Sequence, residues 1–184
     1  FKTDEVLMST AENMLCSLNA HELSLLVGEA NSSTGIRLSG HLDVYLEREV
    51  VNTILARTAC SLTTVKRETQ LGIKLYELAG MYVEVLEELC NQLSLFMILP
   101  AGGPPSSQKT AAREYWRDKC IEFYDRLLDG STAAGGTGGV VTDKLQQAGR
   151  LALRVTFETL LNLWMFVDRC YERRWCILVI RLLS

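Results

Sequence analysis

Between Thr64 and Met97 the apolar residues return every three or four positions on both sides of one glycine, and no other feature constrains the fold as much. Leu71, Leu75 and Leu78 make one stripe, and Gly80 follows where a left-handed helix cap belongs. Val83, Leu86, Cys90, Leu93 and Met97 make the next stripe. Gly80 leaves almost no linker, so the two helices must run antiparallel, and residues 64–99 read as a helical hairpin.

The same period runs through most of the chain. Leu7, Met14, Leu15 and Leu18 give a first helix, with Thr3 as its N-cap and Asp4 and Glu5 in its first turn. Ala20 to Val27 either continues that helix or begins a short second one. Asn31 to Gly40, rich in Ser, Gly and Asn, is a loop. Leu42, Tyr45, Leu46, Val50, Val51, Ile54 and Leu55 form a further stripe, with Glu47, Arg48 and Arg57 on the opposite side. A helix over Gln108 to Leu128 carries Ala112, Tyr115, Trp116, Cys120, Phe123 and Leu127. The last long helix starts near Thr142 and reaches Tyr171, with Phe157, Leu160, Leu161, Trp164 and Val167 as its stripe. A short helix, Arg174 to Leu183, follows.

Two stretches interrupt the helices. Residues 100–107 hold all three prolines and two glycines, and residues 130–141 are mostly Gly, Ala, Ser, Thr and Val, so both read as flexible loops. No alternation of strand type occurs. The fold class is therefore all-α, with six or seven helices. Loops of very unequal length suit stacked antiparallel pairs, an irregular α-solenoid, better than a closed bundle, and no fixed-period repeat is present. The chain begins at Phe1 within helix-like sequence, without an initiator Met, and residues 1–184 read as one helical segment of a longer solenoid.

Composition closes off several functions. At 48% apolar and 22% charged the chain has enough apolar surface to form a core. Its 19 basic residues are scattered among 22 acidic ones, which gives no electrostatic footprint for nucleic acid. Arg169, Arg173 and Arg174 come nearest to a cluster and read as helix-end charges. The most apolar runs, 157–167 and 175–183, are broken by Glu158, Asn162 and Arg181, so no membrane span is expected. Cys16, Cys60, Cys90, Cys120, Cys170 and Cys176 lie far apart in apolar helical contexts. They read as buried free thiols of a reducing compartment.

Site chemistry is sparse. His21-Glu22 begins a His-Glu-x-x-His pattern, but Leu25 stands where the second ligand belongs. His41 sits at a helix start. The glycines of 135–139 lack the Lys-[Ser/Thr] and the preceding strand of a phosphate loop. Glu84, Glu87 and Glu88 share a helix face that reads as solvated. Tyr115-Trp116, Trp164-Met165-Phe166 and Trp175 are aromatics at core spacing. No catalytic, metal or cofactor residue is assigned, and the positions that bind protein partners are not fixed by sequence.

One resemblance is specific. Ser39-Gly40-His41-Leu42-Asp43-Val44-Tyr45-Leu46, followed by Gln70-Leu71-Gly72-Ile73-Lys74-Leu75-Tyr76-Glu77-Leu78-Ala79-Gly80-Met81-Tyr82-Val83-Glu84-Val85-Leu86 and then Leu93-Ser94, resembles the linker scaffold nucleoporins of the nuclear pore inner ring, the Nic-type family. There a Gly-x-x-Asp-x-Tyr/Phe-Leu opening precedes a Leu-Tyr-x-Leu-Ala hairpin. Phe157-Glu158-Thr159-Leu160-Leu161-Asn162-Leu163 and the terminal 177–183 keep the family's order. Ser39 replaces a frequent proline, and the insert at 130–139 has no counterpart.

The resemblance implies a structural scaffold subunit at the nuclear envelope, not an enzyme. It would support nucleocytoplasmic transport by binding other scaffold and adaptor nucleoporins in a large assembly. A vesicle-coat or tethering-complex solenoid is the alternative. An all-α enzyme of the diphosphate-binding type would need an Asp-Asp-x-x-Asp motif, and the chain has no Asp-Asp pair.

Overall fold

A computed structural model describes residues 2–31, 37–98, 107–125, 143 and 145–183, of which 2–4, 20, 98, 107–110 and 171–183 by secondary structure alone. The protein is all-α. Among the described residues its longer helices are α1 (Lys2–Leu15), α2 (Ala20–Val27), α3 (Arg48–Ser61), α4 (Thr69–Ala79), α5 (Tyr82–Ile98), α6 (Ser107–Phe123) and α7 (Leu151–Leu183), and residues 143 and 145–147 are helical as well. A 3-10 turn covers His41–Val44 and a π turn covers Leu62–Lys66. Among the described residues there is no strand, only an isolated antiparallel bridge between Ala30 and Arg37.

The hairpin forms as its spacing predicts. Gly80 is left-handed (φ 71°, ψ 24°) and ends α4. Its N–H donates to the Glu77 carbonyl at 3.0 Å, and the Met81 N–H donates to Tyr76 at 2.9 Å, the paired bonds of a Schellman cap. The opposed faces bury Ile73, Leu75 and Leu78 of α4 with Val85, Leu86, Leu89 and Leu93 of α5.

Helix packing follows chain order through the middle of the molecule. α1 packs on α3, α3 on α4 and α4 on α5, whereas α7 packs chiefly on α5 and only lightly on α6, which itself rests on α5. Trp164, Phe123 and Phe157 are the bulkiest fully buried side chains, and the rings of Phe123 and Phe157 meet edge-on, 6.1 Å apart. α1 and α7 thus lie at opposite ends of the packing order.

The structure corrects or settles the local boundaries of the sequence reading in five places. Thr3 lies inside α1, which already begins at Lys2. α2 is a separate helix, because Asn19 caps it: its side chain accepts the N–H groups of His21 and Glu22, and Glu22 reaches back to the Asn19 N–H at 3.0 Å. The stripe from Leu42 to Leu55 is broken. α3 starts only at Arg48, so Leu42 is half-buried while Tyr45, Leu46 and Val50 are exposed. Residues 64–66 close α3 as a π turn, with Arg67 left-handed behind them, and α4 begins at Thr69.

The fifth place is the last long helix. The chain is helical at 143 and 145–147, beside the expected start, but Gly149 (φ 65°) closes that turn with a second Schellman cap, Gly149 N–H donating to Gln146 and Arg150 N–H to Leu145, so α7 begins anew at Leu151. It then runs unbroken to Leu183, and no boundary separates a final helix at Arg174. Most of the loops at 100–107 and 130–141 fall outside the described residues, although Ser107 is already the first residue of α6. Val140, Val141, the glycines of 135–139 and Leu127 also lie outside the described residues, and so do the side chains of Trp175 and Cys176.

Candidate interaction surfaces

The most constrained part of the molecule is the crossing of two chain segments at Gly28 and Gly40. A Cβ on Gly28 would stand 1.9 Å from the Leu38 carbonyl oxygen, and one on Gly40 would stand 2.3 Å from the Gly28 nitrogen. Gly28 also has φ +84°, a conformation that side chains resist. The Leu38 N–H donates to the Glu29 carbonyl at 2.7 Å across the crossing.

A buried ion pair locks this crossing. Arg37 donates to both carboxylate oxygens of Asp43, at 2.8 and 2.6 Å, and to the Val27 carbonyl at 2.7 Å. Asp43 also accepts the Gly40 N–H at 2.7 Å, and Arg48 donates to the Arg37 carbonyl at 3.1 Å. Burial raises the Asp43 pKa, but the Arg37 and Gly40 hydrogen bonds and the charges of Arg37 and Arg48 outweigh it. The carboxyl therefore sits below its ordinary value. Gly40 and Asp43, two residues of the family-like opening, thus have a physical task. The turn they fix turns Val44 and Tyr45 outward, and Tyr45 is 82% exposed. Leu38, Leu46 and Val50, close to it in the chain, are exposed as well.

A cleft of about 570 Å³ lies between the segment at Glu29 and Ala30, helix α4 and helix α6. Leu71, Leu78 and Tyr115 supply apolar surface, and Lys74, Lys119, Glu29 and Glu77 supply charges that balance. Burial raises the Tyr115 pKa, with Lys119 opposing and Glu122 and Glu77 adding to the rise. No cysteine, serine or histidine is among the residues that line the cleft. Among the described residues no group of three His, Cys, Asp or Glu is placed to hold a metal. His21 and His41 are both exposed, on α2 and in the 3-10 turn.

A second ionic cluster joins α6 to α7. Asp168 pairs with Arg113 and, at 3.7 Å, with Arg117, and it accepts the Trp164 indole N–H at 3.1 Å. The Arg113 guanidinium lies 5.0 Å from the Trp164 ring centre, a cation–π contact. Trp116 and Trp164 are core residues as their spacing predicts, whereas Tyr115 and Phe166 are exposed.

Two readings from sequence need correction. Glu84, Glu87 and Glu88 do not stand on a fully solvated face: all three are half-buried, and Glu87 pairs with Arg150 at 3.4 Å. Burial raises the Glu88 pKa, Asn91 opposes, and Glu87 adds to the rise. Nor are all the thiols buried. Cys90 and Cys120 are, and burial pushes them up to about 11 and about 12, where thiols are inert at neutral pH. Cys60 and Cys170 are exposed and Cys16 is half-buried.

No family model, curated protein or solved structure matches this chain. Among the described residues no helix is long and apolar enough to cross a membrane.

Proposed function

We propose that this chain is a segment of an irregular α-solenoid that holds other proteins in a large assembly, and that the assembly is the inner ring of the nuclear pore. The observation that supports the scaffold reading is the packing of α3 on α4 and of α4 on α5, consecutive helices stacked in chain order. A stack of this kind leaves an unpartnered face at each end, and α1 and α7 both carry exposed apolar residues. The choice of assembly rests on the resemblance alone. Gly40 and Asp43 support it modestly, since both are needed to form the turn before α3.

In this reading the partners are other scaffold and adaptor nucleoporins at the nuclear envelope, met through protein surface rather than nucleic acid. The exposed segment around Tyr45 is the first place to look for one of them. The test is affinity purification of the protein tagged at its own locus, with mass spectrometry of what accompanies it. Inner-ring nucleoporins in comparable amounts support the assignment. Coat or tether subunits keep the solenoid and overturn the assembly. A protein that arrives alone overturns both.

A further inference from the structure

The antiparallel bridge between Ala30 and Arg37 has one closed side and one open side. One residue outside the bridge, the Leu38 N–H donates to the Glu29 carbonyl at 2.7 Å. That register makes Ala30 and Arg37 a non-hydrogen-bonded pair, whose own N–H and C=O groups point away from each other. On the Arg37 side the outward carbonyl is taken, because the Arg48 guanidinium donates to it at 3.1 Å. On the Ala30 side neither the N–H nor the carbonyl has a hydrogen-bond partner among the described residues.

This open edge lies at a cleft. Ala30 is half-buried, packs against the core, and with Glu29 lines the cleft of about 570 Å³ that α4 and α6 close from the other side. A main-chain donor and acceptor on one extended residue match the main chain of another extended segment, which can exchange both bonds with it. A helix cannot answer them, since its own N–H and C=O groups are used within it.

The walls fit such an occupant. A strand sends alternate side chains to opposite faces, and Leu71 of α4 and Tyr115 of α6 give one of those faces an apolar wall. Glu29 and Glu77 balance Lys74 and Lys119 around the cleft, so the matching segment carries no net charge where it lies there.

We infer that the cleft between residues 29–30, α4 and α6 is a docking site for an extended, uncharged peptide segment of a partner protein. The segment pairs its main chain with Ala30 and sets apolar side chains against Leu71 and Tyr115. This site rests on the reading that the chain binds other proteins, and not on which assembly it serves.

The probe is a displayed library of random peptides of about six residues, the usual length of a strand, selected against the 184-residue chain. Leu71→Glu on α4 and Tyr115→Ala on α6 should each retain the parent's helical circular dichroism, yet bind the selected peptides about tenfold more weakly or worse. Tyr45→Ala should bind them as the parent does. Methylation of the peptide nitrogens, one at a time, should abolish binding at the residue that pairs with Ala30 and be tolerated at its two neighbours, whose N–H groups face the other way. Hydrogen exchange at the Ala30 amide should slow when peptide is bound. A selection that yields no peptide overturns the site. So do peptides that bind both cleft variants as tightly as the parent, and peptides that leave the Ala30 amide exchanging as before. A protein that purifies with inner-ring nucleoporins yet yields no such peptide keeps the scaffold reading and loses only this site.

Discussion

The Arg37–Asp43 and Arg113–Asp168 pairs join the same two side-chain types, one sealed into the crossing before α3 and the other half in water between α6 and α7. The Arg37 side chain is 2% exposed and that of Arg113 is 34%. Around Asp43 the backbone itself takes part, through the Gly40 N–H and the Val27 carbonyl that shares Arg37. Around Asp168 the other partners are side chains, Arg117 and Trp164. Low dielectric makes the first pair costly to break, because the survivor is stranded. Water relieves the survivor at the second. Two contacts of equal chemistry therefore hold the fold with unequal strength.

The largest effect should come from the crossing itself. Gly28→Ala puts a Cβ into the Leu38 carbonyl at a positive φ, and it should cost about 3 kcal/mol or more in urea unfolding. A change under about 1 kcal/mol would mean that the two segments part easily, and the contrast with α6 and α7 would collapse.

Asp43→Ala comes next. It leaves the Arg37 cation buried without its carboxylate, at about 3 kcal/mol, the lower end for a broken buried pair because Asp43 is partly exposed. Acid should reproduce part of that loss in the parent. The folded pKa of Asp43 is depressed, so its contribution is fully present above the ordinary carboxylate value and disappears as pH falls through the lower folded value. The gap in urea midpoint between the parent and Asp43→Asn should accordingly narrow at the acid end. A gap that holds constant there would remove Asp43 as the titrating group.

Asp168→Asn should cost only about 1 kcal/mol, since its partners reach solvent. If it matches Asp43→Ala, burial is not what separates the two regions. Tyr45→Ala should change stability by less than about 0.5 kcal/mol, because the ring stands clear of the core. A larger loss would show that the exposed segment supports the turn beneath it.

Local signals were readable where a single residue type settles the backbone. Gly80 ends α4 because the spacing on either side of it breaks phase there, and the Schellman bonds follow. Asn19-x-x-Glu22 is an equally local capping box and separates α2 from α1, although the apolar period alone leaves that boundary open. Gly149 was masked by its setting, since one glycine within a helical pattern is compatible with an unbroken helix. The candidate surfaces were less legible. Tyr45 and Leu46 fit a continuous stripe, and only the delayed start of α3 turns them outward.

Residues three or four apart are enough to show that this protein is helical, where α4 and α5 meet, and which faces of α5 and α7 enter the core. The remaining contacts depend on segments distant in the chain. Arg37 finds Asp43 and Gly28 finds Gly40 only once the chain has crossed itself, and Glu87 meets Arg150 only when a distant segment folds back on α5. Periodicity reports which side of a helix is apolar, whereas burial of a charge depends on what the rest of the chain brings to it.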